Sequence, residues 1–165
     1  MSEDVYWRLF LHKGSWPFGM YEIEDMLSEN MRRRVPGTLS VYQKIIASPK
    51  SLYSPNGHLI YGTPEIYLVS DHISERIGEL HHLHPDVFEE FSKEFWSCES
   101  GQLKSDPRFF QQLLRATGLT QGEVIFIDDS AYNTTAAAEA GITSIYFKNA
   151  AQLQAELEEY GFVFT

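Results

Sequence analysis

The spacing of apolar residues changes along this chain near residue 66. Beyond it, short continuous apolar runs alternate with stretches where apolar side chains return every three or four positions, as in strands joined by helices. Ile66-Tyr67-Leu68-Val69 reads as a strand ending at Ser70-Asp71, and Ile73, Ile77 and Leu80 mark a helix after it. Glu94 to Cys98 reads as a second strand. Ser105-Asp106-Pro107 opens a helix, with proline in the first turn and a capping side chain ahead of it. Phe109, Phe110, Leu113 and Leu114 form the buried stripe of that helix, and Gly118 ends it. Val124 to Ile127 is the clearest strand. A helix over Thr134 to Ala140 closes at Gly141, Ile142 to Phe147 is a strand, and Ala150 to Tyr160 is a last helix capped by Asn149. The pattern predicts an α/β fold of three layers, with helices on both faces of a mostly parallel sheet.

Residues 1–65 have a different rhythm. Tyr21, Ile23, Met26, Leu27, Met31 and Val35 fit an amphipathic helix before Pro36, and Leu39, Tyr42, Ile45 and Ile46 suggest a second. Ser48 to Thr63 is rich in Pro, Gly, Ser and Asn, with a turn at Asn56-Gly57. The division expected is a helical segment and linker over 1–65 and an α/β core over 66–165.

Charge and composition narrow the function. A formal charge of −10 leaves no surface basic enough to track nucleic-acid phosphates, and the one basic run, Met31-Arg32-Arg33-Arg34, suits a solvated helix end. One cysteine, Cys98, excludes an internal disulfide framework and suits a reducing compartment. No apolar run reaches membrane length and no signal core stands at the N-terminus, so the expectation is a soluble, cytoplasmic protein. With 11 Phe, 9 Tyr and 3 Trp the chain can fill a sizeable core. Tyr6, Trp7, Phe10, Trp16 and Phe18 read as packing residues or as a contact with a second copy.

In an open parallel sheet, ligands bind beyond the carboxyl ends of the strands. Ser70 stands at one such end, Asp128 and Asp129 at another, and Lys104 just before a helix. Two adjacent carboxylates repel, and a cation is the usual remedy. A hydroxyl, a lysine and a carboxylate pair converging there would suit a phosphate and a magnesium ion, since Mg²⁺ prefers hard oxygens and lysine neutralises phosphate as a point charge. Each residue alone has a plainer reading: Ser70 as a helix cap, Lys104 as a surface lysine, the aspartates as a solvated turn. His81, His82 and His84 match no zinc spacing and read as a surface loop cluster, and Cys98 reads as a small strand residue. A receiver-type signalling domain uses similar groups but places its aspartate pair first and its lysine last. Here the order is Ser70, Lys104, Asp128.

Taken in that order, the set resembles the haloacid dehalogenase superfamily of phosphatases and phosphotransferases. IYLVSD looks like its second motif, GQLKSDPRFFQQLL its third and VIFIDDSAYNTTAAAEAGI its fourth, and the last strand and helix follow in ITSIYFKNAAQLQAELEEYG. The resemblance covers roughly residues 66–161, and sugar-phosphatase and epoxide-hydrolase phosphatase-domain members with small helical caps look nearest. It implies that Ser70 holds a phosphoryl group, Lys104 clamps phosphate, and Asp128 binds Mg²⁺ with support from Asp129 and Asn133. A small phosphorylated metabolite is the implied substrate, and residues 7–47 would be a cap remnant.

One motif has no counterpart. The family's reaction uses an aspartate in an Asp-x-Asp sequence after a first, central strand, as nucleophile. This chain has seven aspartates and no Asp-x-Asp. Three readings follow: a descendant that binds without turning over, an active phosphatase whose first motif lies outside this chain, and a non-catalytic interaction protein. The resemblance also implies that the first central strand is missing or replaced. Ser105 stands where the third motif usually has proline.

Overall fold

The computed structural model describes residues 37–47, 51–53, 59–61, 64–89, 91–162 and 164. The helix expected over Tyr21 to Val35 and the aromatic group from Tyr6 to Phe18 lie outside them. The described chain begins with α1 (Thr38–Ala47), then β1 (Ser51–Tyr53) and β2 (Leu59–Tyr61), which pair antiparallel; the turn expected at Asn56-Gly57 lies outside the described residues. These two strands correct the reading of 48–63 as turn-rich linker alone. Three-residue strands are too short to show in an apolar pattern.

The α/β part follows the predicted alternation. β3 (Tyr67–Ser70) leads through α2 (Ser74–Leu83) and α3 (Pro85–Phe88) to β4 (Lys93–Trp96), which pairs parallel to β3 with Ser70 opposite Trp96. The expected strand over 94–98 stops at Trp96, because Ser97–Ser100 turns into the short helix α4, closed by Gly101 in the left-handed conformation (φ 69°). Then come α5 (Pro107–Thr117), β5 (Ile125–Asp128), α6 (Ala131–Glu139), β6 (Thr143–Tyr146) and α7 (Ala150–Glu159). β5 and β6 pair parallel, Asp128 opposite Tyr146. Among the described residues no strand joins β3 to β5, so the parallel ladders form two separate pairs.

Alternation along β5 sorts the layers. A strand sends successive side chains to opposite faces. Phe126 packs with Phe109, Phe110 and Leu113 of α5 and Ala136 and Ala137 of α6, and Val69 and Phe95 of the other pair border that cluster. Ile125 and Ile127 face the other way, towards Val41 of α1, Ile145 and α7's Leu153 and Leu157. Helices therefore cover both faces of the β5–β6 pair, as the pattern predicted. The Thr38–Ala47 helix, sequence-local to the N-terminal segment, places Val41 in this second core at 4% exposure.

Local signals set the ends of the long helices. Asp106 caps α5 by accepting from the Arg108 N–H at 2.9 Å, and its carboxyl is held at about 2 by the Arg108 guanidinium first and that N–H second. Gly118 ends α5 at φ 74°, a value few other residues adopt, its N–H reaching the Leu114 carbonyl at 2.9 Å. Asn149 caps α7 by accepting from the Gln152 N–H at 2.9 Å. α6 starts at Ala131, three residues earlier than its apolar pattern suggested, since the intervening turn is tied to Asp128.

Candidate functional site

Asp128 is the last residue of β5, on the same face as Phe126, and its backbone carbonyl still accepts from Phe147 N–H at 2.8 Å. The ladder therefore holds its Cα firmly while the side chain emerges beyond the sheet. Only 5% of that side chain is exposed. Oδ1 accepts the Ser130 N–H at 2.8 Å, a turn closed two residues on, and the Asn133 amide Nδ2 at 3.0 Å. Asn133 sits in the first turn of α6 and is itself buried. Ser130, in the capping position of α6, makes no side-chain cap bond.

Oδ2 accepts from Lys104 Nζ at 2.6 Å. Lys104 lies on the turn between α4 and α5, and only 14% of its side chain is exposed. The plain reading of a surface lysine is therefore replaced by that of a largely buried ion-pair partner. Its backbone N–H donates to Asp71 Oδ1 at 3.0 Å, which ties the turn to the carboxyl end of β3. Residues 71, 104 and 128, far apart in sequence, meet at one edge of the molecule.

Ser70 ends β3 at that edge. It does not cap the next helix, as its default reading had it, because the capping position of α2 is Ile73. No hydrogen bond joins it to Lys104 or Asp128; its link to them runs through its neighbour Asp71. Asp129 is exposed and takes no part in the cluster around Asp128. Lys104, Asp128 and Asn133 are thus in direct contact, Ser70 is adjacent, and Asp129 stands apart.

Two residues escaped the sequence reading as participants, Asp71 in its tie to the Lys104 turn and His72. Their only signal was position, directly after a strand that ends at the ligand-binding edge. The His72 ring meets Trp96 edge-on, centroids 6.0 Å apart. Burial, then the Lys104 charge, lowers the His72 pKa; Asp71 opposes this and Arg76 adds to it. The other histidines belong elsewhere. His81 and His82 lie in α2, not in a loop, and His81 Nε2 is 2.9 Å from Glu94 Oε2 while its ring stacks on Phe88 at 4.0 Å. Glu94 also takes the Trp96 indole N–H at 2.9 Å, so this group fastens α2 to β4. No cluster of three His, Cys, Asp or Glu that could hold a metal exists among the described residues. No described helix is long and apolar enough to cross a membrane.

Residues 62–141, which carry every element of this edge, match the family model described as haloacid dehalogenase-like hydrolase. Over that stretch, just under half of its length, the chain resembles the haloacid dehalogenase-like hydrolases. It is 36% identical over 67 residues to flavin mononucleotide hydrolase 1, a chloroplast protein of Arabidopsis thaliana; the match covers 41% of this chain and 27% of that protein's length. Among solved structures, a haloacid dehalogenase superfamily hydrolase from Ehrlichia chaffeensis superimposes at a TM-score of 0.52 and 19% identity, over 85% of this chain and 69% of that one. A protein from Corynebacterium glutamicum gives 0.51 at 18% identity, over 86% of this chain and 85% of that one. At such identities the likeness speaks for the fold, a Rossmann-type α/β arrangement with short parallel sheets.

Proposed function

We propose that this chain carries the phosphate- and cation-binding side of a phosphatase-type site, and that its 165 residues bind a small phosphorylated molecule without turning it over alone. The observation behind this reading is the Lys104–Asp128 contact, an ammonium and a carboxylate held 2.6 Å apart beyond a strand end. Such a pair can separate to serve two ligands of opposite charge, phosphate at the lysine and a cation at the carboxylate.

The donor set fits Mg²⁺. Asp128 offers a hard, buried carboxylate aimed by Ser130 and Asn133, and Mg²⁺ accepts water for the remaining positions. Asn133 presents its amide N–H₂ to Asp128, so it positions that carboxylate in place of offering its own oxygen. Bound there, Mg²⁺ would neutralise charge on the phosphate oxygens. Lys104 would take the phosphate as a point charge once Asp128 turns to the cation, and the Ser70 hydroxyl would hold one phosphoryl oxygen. What these groups do not supply is an attacking carboxylate, since no Asp-x-Asp occurs in the chain. Groups that act as a unit fail together when one is withheld.

Flavin mononucleotide is the first phosphate ester to try, on the strength of the Arabidopsis relative. The test is hydrolysis of an aryl phosphate and of flavin mononucleotide with Mg²⁺. The 165-residue chain is expected to turn over neither faster than its Asp128→Ala variant does. Magnesium-dependent turnover abolished by that substitution overturns the reading, with Asp71 the first candidate for the attack.

A second reading has its own observation. β3 and β5 each pair on one side only among the described strands. A segment that lay between them, carrying the nucleophile at its end, would complete the site, and adding such a segment would then restore Asp128-dependent turnover.

A further inference from the structure

Leu103, Tyr132, Tyr146 and Tyr160 are the large apolar side chains that stand exposed among the described residues, and the first three adjoin the Lys104–Asp128 contact. Leu103 directly precedes Lys104, whose Nζ meets Asp128 at 2.6 Å. Tyr132 directly precedes Asn133, whose amide meets Asp128 at 3.0 Å. Tyr146 lies opposite Asp128 in the parallel ladder, where paired residues share a face of the sheet. The Phe147 N–H, one residue on, donates to the Asp128 carbonyl at 2.8 Å.

α6 covers that face only in part. Asn133 meets Asp128, and Ala136 and Ala137 pack with Phe126, so α6 starts at the carboxyl end of β5 and runs back along it. On β6 the Ser144 hydroxyl donates to the Thr134 carbonyl at 3.0 Å. From Thr134 back to Ala131, the first residue of α6, the helix spans about 4.5 Å. From Ser144 to Tyr146 the strand advances about 6.6 Å. Tyr146 thus overhangs the start of the helix, which is why it is 45% exposed while its ladder partner Asp128 is buried. Tyr132, in the first turn of α6, is 82% exposed. Neither ring packs on another aromatic ring among the described residues.

Size and charge select the occupant. At about 200 Å² for a whole aromatic side chain, the three residues offer roughly 400 Å² of exposed surface. One side of a stable protein–protein interface takes about 800 Å², so a second copy of this chain needs more than they provide. A small molecule does not, and an anionic end on it matches Lys104. We propose that Tyr146, Tyr132 and Leu103 form an apolar rim that receives the organic body of a phosphate monoester and favours a planar aromatic one. This rests on the reading of Lys104 and Asp128 as a phosphate site. A flat ring can stack on the tyrosines or meet them edge-on while their hydroxyls stay in water.

Phenylphosphonate and methylphosphonate are the probes. They share a headgroup, differ only in the body, and hold a carbon–phosphorus bond that ester hydrolysis leaves intact. The 165-residue chain is titrated calorimetrically with each, at a pH where both are dianions. The expected result is that phenylphosphonate binds about tenfold more tightly than methylphosphonate. Tyr146→Ala combined with Tyr132→Ala should bring that ratio close to one with methylphosphonate affinity unchanged, whereas Tyr146→Phe, which keeps the ring, should preserve it. Equal affinity of the wild-type chain for the two phosphonates overturns the proposal, and so does a double variant that keeps the wild-type ratio. If Lys104→Met meanwhile loses methylphosphonate, the phosphate site survives and the rim alone is excluded. Absence of binding by either phosphonate overturns both. The wild-type ratio is measured without any substitution, and unchanged methylphosphonate affinity shows that a variant has folded.

Discussion

Asp128 carries three hydrogen bonds on two oxygens, and the strongest comes from the one partner with a full charge. Removing Lys104 leaves a carboxylate that is 5% exposed with two N–H donors and no counter-charge. Breaking one side of a buried pair costs more than the pair contributes, because a buried charge is left uncompensated. Lys104→Met should therefore lower stability by about 3 kcal/mol. Adding Asp128→Asn in that background should recover part of the loss, since the orphaned charge disappears. Denaturant melts of the two single variants and the double variant measure this coupling. Equal and additive losses would show that the two side chains do not depend on each other. At this scale a carboxylate at a strand end and a lysine before a helix are visible in the sequence as residue types. The sequence did not show that Lys104 is largely covered, and it overlooked His72, because exposure depends on what folds over a residue.

At the scale of elements, α5 is the piece on which both strand pairs rest. Phe110 is 1% exposed and meets Phe126 edge-on at 4.7 Å and Phe109 at 5.5 Å. The cluster it belongs to also borders Val69 of β3 and Phe95 of β4. Phe110→Ala should cost about 3–5 kcal/mol, as large-to-small changes in such cores do. It should also loosen the tie between the two halves of the site, since α5 follows directly on the Lys104 turn. Hydrogen exchange that quickens in β3 and β5 together would show this; a change confined to α5 would contradict it. The stripe of α5 was legible from its period, and its limits from Asp106, Pro107 and Gly118. The β1–β2 hairpin was not, because three-residue strands carry no period of their own.

For the whole molecule, the proposed reading makes the contact between Lys104 and Asp128 the link between two ligands. A cation at Asp128 frees the lysine for an anion, and an anion at Lys104 frees the carboxylate for a cation. Such coupling is reciprocal, whichever ligand binds first. Saturating Mg²⁺ should tighten sulfate binding several-fold, and saturating sulfate should tighten Mg²⁺ binding by the same factor. Asp128→Ala should bind sulfate more tightly than the wild-type chain does without Mg²⁺, and should show no further gain on its addition. Independent affinities measured by calorimetry would mean that the two groups do not share one site.

Strand ends, helix starts and apolar period are local properties, so the places of Ser70, Lys104 and Asp128 in their elements were legible without the fold. Asp128 follows four apolar residues, Lys104 precedes a capped helix, and Ser70 ends a strand; none of this requires knowing the rest of the chain. Tertiary structure alone decided which of them meet. Ser70 and Lys104 are joined through Asp71, Lys104 and Asp128 touch, and Asp129, though adjacent to Asp128, turns to solvent. A pleated strand sends neighbouring side chains to opposite sides, so two adjacent carboxylates that look alike in sequence cannot share an environment at its end. Whether β3 and β5 adjoin was likewise decided by the fold, since strand order depends on packing between distant segments and leaves no trace in the pattern of either one.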